Sequence, residues 1–398
     1  MRIVLFYSDV ESFNFFADQL DREFQRRGHE TFIWDLRIPP AGNPHSAEFF
    51  REFALRKIDL AVCFDGIGSN EENSIRIWDI HQTVVVNILM DPPFRFHPYL
   101  TNHPQRYLLF CCDFEHVAYV KKYFSDSVPY VLFMPHVGAA NKESASPISF
   151  AKRKYDILFT ATYYRPADHL KEAEKLCGGS AAMYTLLQAV YKNLQQDSSL
   201  TMEQAVLYTL QQKGISFETR FLLSLLRLTV PIDWAIRMYH RERIVSILAD
   251  AGFDLYLLGR GWENHPSAGR TNVHRIADRI PYGETLSYMA QARVNLNVMP
   301  WFKAGTHDRI FNTLLQHSVP LTDTSLWLTQ NFTDGEDIAF YDLDHSEQLP
   351  DIVSRLLTDT ERSEAIIQKG YEKTAASLTW SHCADWISEA VKAVFMLF

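Results

Sequence analysis

The segment RVNLNVMPWFKAGTHDRIFNTLLQHSVPLTDTS (293–325) contains an apolar strand, a glycine-bearing loop, a helix and a second strand. The run RVNLNVMP (293–300) enters the helix through that loop, and VPLT (319–322) follows the helix. A strand, a helix and a strand in this order form a βαβ unit, whose strands run parallel. The N-terminus of such a helix offers free amides and a positive dipole end to an anion. The segment therefore predicts a parallel sheet with an anion site at its carboxyl edge.

Strands and helices alternate on both sides of this segment. Continuous apolar, β-rich runs are typical of strands that are covered on both faces. They predict two doubly wound α/β domains. The runs are IVLFY (3–7), TFIWDL (31–36), IDLAVCF (58–64), TVVVNILM (83–90), YLLFCC (107–112), PYVLFMP (129–135), YDILFTA (155–161), DLYLLG (254–259), VHRI (273–276) and IAFY (338–341).

The domain bounds follow from changes in composition. Residues 1–140 form the first domain, and the polar, small-residue-rich segment 141–154 is predicted to be a linker. The second domain covers 155–380, and a largely helical insertion lies at about 166–250. The insertion is either a covering layer, which is the favoured interpretation, or a surface that binds a partner or acceptor. The last helix, 381–398, is predicted to pack back on the first domain.

Composition limits the function classes. The 398 residues are enough for two or three domains, and the net charge of -9 disfavours a long nucleic-acid or anionic-membrane footprint. The five cysteines contain no CxxC pair, which argues against a disulfide framework or a zinc ribbon and favours a cytoplasmic location. The N-terminus lacks the pattern of a signal peptide, and the most apolar long stretch (221–239) contains charged residues. No transmembrane segment is expected, and the sequence is compatible with peripheral contact with a membrane.

Acidic residues follow or end several strands of the first domain: Asp9, Asp35, Asp65, Asp91 and Asp113. Each could cap a helix, which is the more common role, or bind a hydroxyl or act as a general base. Asp91 is the strongest functional candidate because the prolines of MDPPF (90–94) fix its loop and offer no amide to cap. The dinucleotide fingerprint GxGxxG and the phosphate loop GxxxxGK[ST] are both absent from the sequence.

The second domain holds the stronger cluster. In GRGW (259–262) two glycines allow close backbone approach to a phosphate, although a tight turn explains them about as well. Lys303, His307 and Arg309 surround the predicted helix N-terminus, Asn312 lies in the first turns, and Thr322 and Asp323 end the next strand. Together they predict a pocket for a diphosphate sugar. The triplet DLD (342–344) is only a weak indication of a metal site.

Several motifs resemble the C-terminal donor domain of GT-B glycosyltransferases, and within them the spore-maturation (CgeB-like) branch. HDRIFNTLLQHSVPLTD (307–323) is similar to the motif H-x-R-[IV]-F-[EN]-x4-G-x4-T-D of that branch. Further similar segments are LLGRGW (257–262), IPYGETLSYMAQARVNLNV (280–298), GYEKTAASLTWSHCADWI (370–387) and DFEHVAYVKKYF (113–124).

The resemblance implies a GT-B fold, in which two Rossmann-like domains face a cleft. It implies an enzyme that moves a hexose-type sugar from a nucleotide-diphosphate sugar to a protein or cell-surface glycan acceptor, with no metal, no cofactor and no nucleic-acid partner. The residues implied at the donor are Arg165, Gly259, Arg260, Gly261, Trp262, Lys303, His307, Arg309, Asn312, Thr322 and Asp323, and those implied at the acceptor are Asp9, Asp91, Asp113 and His136.

Some positions depart from the family pattern. Asn312 stands where related retaining enzymes have a glutamate, and Ala304 stands where the first carboxylate of their E-x7-E pair would fall. The small residues of the helix are replaced by Leu315, Gln316 and His317. Two alternatives therefore remain, a non-catalytic nucleotide-sugar-binding relative and a sugar-nucleotide epimerase on a similar two-domain fold.

Overall fold

The computed structural model describes residues 1–38, 44–141 and 147–396. The chain forms two compact units, one of Met1–Ala139 joined by the C-terminal segment from Ala376, and one of Ala140–Ala375. In the described residues each unit contains a six-stranded sheet. All the strand pairs given for these sheets are parallel, and helices connect the strands, so the predicted α/β class is confirmed.

The first unit has the strand order β2-β1-β3-β4-β5-β6. Its inner strands are buried on both faces, and for this reason they occur in the sequence as unbroken apolar runs. The strands are β1 Arg2–Tyr7, β2 Glu30–Asp35, β3 Leu60–Phe64, β4 Val84–Leu89, β5 Tyr107–Cys111 and β6 Val131–Phe133. The helices are α1 Glu11–Arg26, α2 Pro44–Glu48, α3 Glu72–Ile80, α4 His97–Thr101, α5 Phe114–Phe124 and, from the C-terminus, α16 Trp380–Phe395.

Helix α16 completes the core of the first unit. The ring of Trp380 lies 4.9 Å from that of Phe16 on α1. At the other end of α1, Arg27 forms an ion pair of 2.7 Å with Asp385 and donates to the carbonyl of Ser381 at 2.8 Å. The chain therefore returns at its end to the domain with which it began.

The second unit has the strand order β12-β11-β10-β7-β8-β9. The first strand, β7, lies in the middle, with β10 on one side and β8 on the other. The strands are β7 Tyr155–Thr160, β8 Leu255–Leu258, β9 Val273–Ala277, β10 Ala292–Asn297, β11 Val319–Asp323 and β12 Ala339–Tyr341. The helices are α6 Pro166–Leu176, α7 Ala181–Gln196, α8 Met202–Gln212, α9 Thr219–Leu228, α10 Val230–Asp250, α11 Tyr282–Ala290, α12 Asp308–Leu315, α13 Leu326–Asn331, α14 Leu349–Thr358 and α15 Thr360–Ser377.

Residues 166–250, between β7 and β8, are folded as the helices α6 to α10. A capping box begins α8, since the amide of Gln204 donates to the Thr201 hydroxyl at 3.1 Å and the amide of Thr201 donates to the Gln204 side chain at 2.8 Å. Helix α10 packs against α6 and α7 within this layer and also against α14. It therefore links the insertion to the rest of the unit.

The predicted linker, 141–154, differs from the structure at its C-terminal end, and its residues 142–146 lie outside the described residues. Phe150 is buried, and the guanidinium of Arg153 donates to four carbonyls, those of Ile148 at 3.2 Å, Ala290 at 3.1 Å, Ala292 at 2.9 Å and His317. An arginine with several carbonyl partners fixes its backbone firmly. Residues 150–153 are therefore part of the second unit.

Candidate functional site

The carboxyl ends of β7, β10 and β11 meet at the N-terminus of α12 in the second unit. The sheet changes direction beside β7, and ligands of parallel α/β sheets bind at such a point. Helix α12 begins at Asp308, and the residue before it, His307, caps it. The free amides of this helix end are therefore located at the same edge of the sheet as the three strand ends.

His307 caps the helix through its ring. Nδ1 accepts from the amide of Arg309 at 3.2 Å and lies 2.6 Å from Oδ1 of Asp308. Burial lowers the pKa of His307, and the charge of Arg309 lowers it further. A neutral imidazole is therefore favoured at this cap.

Arg309 ties the helix to the sheet. Its Nε donates to the carbonyl of Thr160 at the end of β7 at 3.0 Å, and its Nη1 donates to Oδ1 of Asn297 at the end of β10. The side chain is buried, and this burial lowers the pKa of Arg309. Its predicted contact with a diphosphate stays a prediction, because the donors described here are directed at the strand ends.

Thr322 and Asp323 are buried at the end of β11. The Thr322 hydroxyl accepts from the Asn297 amide group at 2.8 Å, and Oδ1 of Asp323 accepts from the amide of Met299 at 2.8 Å. Burial raises the pKa of Asp323 to about 7. These two residues hold the loop after β10 in place, and their predicted contact with the donor stays a prediction.

Asn312 belongs to a buried hydrogen-bond network that the sequence did not reveal. Its Nδ2 donates to the hydroxyl of Tyr282 at 3.0 Å and to Oδ2 of Asp308 at 3.2 Å, and the Tyr282 hydroxyl also donates to Asp308. Burial raises the pKa of Tyr282 well above its usual value, so the phenol keeps its proton. For Nδ2 of Asn312 to bind a ribose, this network must rearrange.

Lys303 connects the site to the helical insertion. Its Nζ donates to the carbonyl of Ser198, in the loop between α7 and α8. The amide of Ser198 in turn donates to the carboxylate of Asp344 at 3.1 Å, and the amide of Asp344 donates to Asp342 at 2.8 Å. The acids of the DLD triplet therefore stabilise loops here. No group of three or more His, Cys, Asp or Glu side chains that could hold a metal ion occurs within the described ranges.

The glycines of GRGW are required by a close approach of two loops. Gly259 has φ +138 and Gly261 has φ +85, and a Cβ at these positions would lie 2.1 Å from the carbonyl oxygen of Ala161 and 1.9 Å from that of Tyr163. Trp262 is 1% exposed, and its Nε1 donates to the Ala161 carbonyl at 2.6 Å. The ring of Trp262 packs in the core of the unit, and its predicted contact with the donor stays a prediction.

Arg165 and Arg260 remain exposed at the same edge of the sheet. Arg165 directly precedes α6, and the carbonyl of Arg260 accepts from the amide of Tyr163 at 2.9 Å, so the loops after β7 and β8 run side by side. Two exposed cations thus lie near the strand ends.

Sequence reasoning missed two arginines of α10. Arg237 is 3% exposed, pairs with Asp233 at 2.8 Å and has its guanidinium carbon 3.9 Å from the centre of the Trp301 ring. Arg241 is 7% exposed and donates to the carbonyl of Thr162 at 2.6 Å. Their signal in the sequence was two cations four residues apart within an apolar helix.

In the first unit, the acidic candidates are in different environments. Asp9 is exposed, and Asp91 is half-buried with an ion pair of 3.0 Å to Arg95. Oδ1 of Asp65 accepts from the amide of Met90 at 2.8 Å, and burial, together with the charge of Asp91, raises the pKa of Asp65 well above its usual value. Asp9 and Asp91 thus keep surface that an acceptor could reach.

Asp113 and His136 are buried. Asp113 caps α5, since its Oδ1 accepts from the amide of Glu115 at 2.7 Å. Capping was the more common role expected of a strand-end acid, and it explains Asp113 without an acceptor. The suggestion that Asp113 and His136 face an acceptor stays a prediction.

Comparison with known proteins gives a match over the second half of the chain. Residues 240–389 match the family model described as Glycosyl transferase-like. This part of the chain is therefore similar to glycosyl transferases. The matched region begins in α10 and includes β8 to β12, the helix end at His307 and the start of α16. The prediction of a glycosyltransferase is confirmed at this level, while the CgeB-like branch stays a prediction.

Solved structures share the fold over the whole chain. A sucrose-phosphate synthase from Thermosynechococcus elongatus has 11% identity and a TM-score of 0.58, covering 100% of this chain and 99% of that one. An alpha-glucosyltransferase solved with UDP and a 13-mer DNA has 12% identity and a TM-score of 0.53, with coverages of 98% and 99%. HepE from Anabaena, solved with UDP-glucose, has 9% identity and a TM-score of 0.51, with coverages of 99% and 100%. These similarities confirm the predicted GT-B fold.

No curated protein matches the chain in sequence. Among the helices that the structure describes, none is long and apolar enough to cross a membrane.

Proposed function

We propose that this protein transfers a hexose-type sugar from a nucleotide-diphosphate sugar to a protein or cell-surface glycan acceptor in the cytoplasm, without a metal. The observation that carries the proposal is the α12 N-terminus, capped by His307, at the joined ends of β7, β10 and β11 in a glycosyl transferase-like domain. A helix end at this place is suited to an anionic group.

The donor diphosphate would accumulate negative charge as the bond to the sugar breaks. Fixed dipoles and cations that point to developing charge lower the barrier most effectively in a site that excludes water. The helix end supplies the dipole, and Lys303, Arg165 and Arg260 supply cations that are half-buried or exposed. This arrangement supports metal-independent stabilisation of the leaving group.

On the acceptor side, Asp91 is the candidate with the best support. Its carboxylate is half-buried and is oriented by Arg95, and it follows the end of β4, where ligands of parallel sheets bind. If the reaction inverts the sugar configuration, Asp91 would take the proton of the acceptor hydroxyl as a general base. If the reaction retains the configuration, no such base is needed.

Titration calorimetry of the full chain with a panel of nucleotide sugars tests the donor proposal. The panel begins with uridine donors, because the alpha-glucosyltransferase and HepE were solved with UDP or UDP-glucose, and continues with guanosine donors. We expect binding of at least one donor and release of the nucleotide diphosphate, with activity unchanged by EDTA. If no uridine or guanosine donor binds, the proposal is refuted.

A non-catalytic relative is the second candidate, and a specific observation favours it. Asn312 is uncharged and is engaged by Tyr282 and Asp308, and Ala304 offers no polar side chain. Hydrolysis or transfer of a bound donor in vitro would exclude this candidate. Product analysis without an acceptor separates both from an epimerase, which would return an isomerised nucleotide sugar.

A further inference from the structure

Three basic side chains share one face of α10: Arg237, His240 and Arg241. Their spacing of i, i+3 and i+4 places them side by side on the helix. They are 3%, 1% and 7% exposed, respectively. Burial of cationic groups is costly unless charges or hydrogen-bond acceptors compensate for it. We define these three residues as the α10 basic face.

The α10 basic face lies against the loops that follow β7 and β10. The guanidinium carbon of Arg237 is 3.9 Å from the centre of the Trp301 ring, and that of Arg241 is 5.7 Å from the same ring. Nη1 of Arg241 donates to the carbonyl of Thr162 at 2.6 Å. Trp301 follows the end of β10 and Thr162 follows the end of β7, so the arginines are located at the carboxyl edge of the sheet.

The same face is adjacent to the N-terminus of α12. The ring of Trp301 lies edge-on to that of His307, with 5.7 Å between their centres. Burial lowers the pKa of His307, and Arg309 and Arg241 are both close enough for their charges to lower it further. Arg241 and the positive end of the α12 dipole therefore act on the same small volume.

His240 provides an independent indication of a ligand. Neither of its ring nitrogens has a hydrogen-bond partner within the described residues, although the side chain is 1% exposed. Burial lowers the pKa of His240 to about 3, and the charges of Lys303 and Arg243 contribute to this shift. A buried neutral imidazole with both nitrogens unused is unfavourable, and a polar group bound beside Lys303 would satisfy it.

We propose that the α10 basic face is a second wall of the donor site and that Arg241 binds the diphosphate opposite the α12 N-terminus. This inference rests on the proposed donor function. The planar guanidinium of arginine matches two phosphate oxygens at once, and the bond from Arg241 to the Thr162 carbonyl holds the side chain in place. Arg237, which pairs with Asp233, packs over the ring of Trp301 and positions it.

The test compares inorganic pyrophosphate, UDP and uridine as ligands of the full chain by titration calorimetry. The variants are R241Q, which removes the charge, and R241K, which keeps the charge but not the planar fork. The matched control is R227Q, which removes an exposed arginine at the end of α9. Circular dichroism and melting curves establish that each variant is folded.

We expect R241Q to weaken the binding of pyrophosphate and UDP by about 10- to 100-fold, the range for a hydrogen bond to a charged group. Uridine binding and the R227Q control should stay within about twofold of the native chain. If R241Q does not fold, R241K decides, since loss of the planar fork should still weaken pyrophosphate binding by more than about threefold.

The outcomes separate this inference from the proposed function. If folded R241Q binds UDP and pyrophosphate normally, or if R241K does so where R241Q does not fold, Arg241 does not bind the diphosphate. The proposed donor function would then stay intact. If pyrophosphate binding depends on Arg241 but the chain binds no nucleotide sugar, the contact of Arg241 with a diphosphate is supported and the proposed donor function fails. If the native chain binds neither pyrophosphate nor UDP, both proposals fail.

Discussion

Replacing Gly261 by alanine should destabilise the second unit much more than the same change at Gly214. Both glycines have a positive φ, +85 and +62 respectively, so each alanine meets the same backbone penalty. The surroundings differ, because a Cβ at Gly261 would lie 1.9 Å from the carbonyl oxygen of Tyr163, whereas nothing lies within 4 Å of one at Gly214. The pair therefore separates the cost of the backbone conformation from that of the close approach.

The magnitude follows from the contacts that must move. An alanine in the left-handed region costs about 1 kcal/mol, which is the whole effect expected at Gly214. At Gly261, relief of the clash displaces the Tyr163 backbone, whose amide donates to Arg260 at 2.9 Å, and disturbs the Tyr163 ring, which stacks on Trp262 at 5.2 Å. Each of these contributes about 1 kcal/mol, so G261A should cost about 3 kcal/mol in total.

Native-state hydrogen exchange is the suitable assay, because a chain of two units need not unfold in one step. Peptides covering 155–165 should exchange about 30-fold faster in G261A than in G214A, which corresponds to the difference of about 2 kcal/mol. Peptides from the sheet of the first unit serve as an internal control and should not change. Equal protection in the two variants would show that the loop after β8 does not press against Tyr163.

Three further changes test other parts of the description. Because burial raises the pKa of Asp323 from 3.8 to about 7, the folded chain holds this proton more tightly than the unfolded one. The free energy of unfolding should therefore fall by about 3 kcal/mol between pH 4 and pH 7, and urea unfolding should find this slope reduced in D323N. R153M removes the guanidinium that donates to four carbonyls, of which only that of Ala292 also accepts from the Ser318 hydroxyl, and it should cost about 3 kcal/mol by melting. An unchanged melting temperature would restore the linker interpretation. D113A should lose about 1 kcal/mol of stability with the cap of α5, while D113N keeps the cap and should keep sugar transfer. If folded D113N binds the donor but no longer transfers sugar, Asp113 has a catalytic role.

The fold was predictable because its signals are local. Each of the twelve strands in the described residues falls on an apolar run found in the sequence, with ends shifted by up to a few residues. Parallel pairing then followed from the alternation with helices. The capping box at Thr201 can also be recognised in the sequence, because its two residues lie within four positions of each other.

The site was predictable in position but only partly in the direction of its side chains. Arg309 and Asp323 are located where the sequence placed them, yet the partners described here are Thr160, Asn297 and Met299. The partner Thr160 lies far away in the sequence, and no local pattern reveals which way a guanidinium turns. Arg241 was missed for a related reason, since a cation on a helix is more often exposed to solvent than buried.

Helix α16 has a consequence for the order in which the protein can be made. Phe16 and Phe64 of the first unit lie 4.9 Å and 6.4 Å from the ring of Trp380, a residue that leaves the ribosome only after the whole second unit. The usual order, in which the domain nearest the N-terminus folds first during synthesis, is therefore unavailable for the completed first unit. The core of the first unit is therefore completed only after the second unit has been synthesised, and part of its aromatic surface stays uncovered until then.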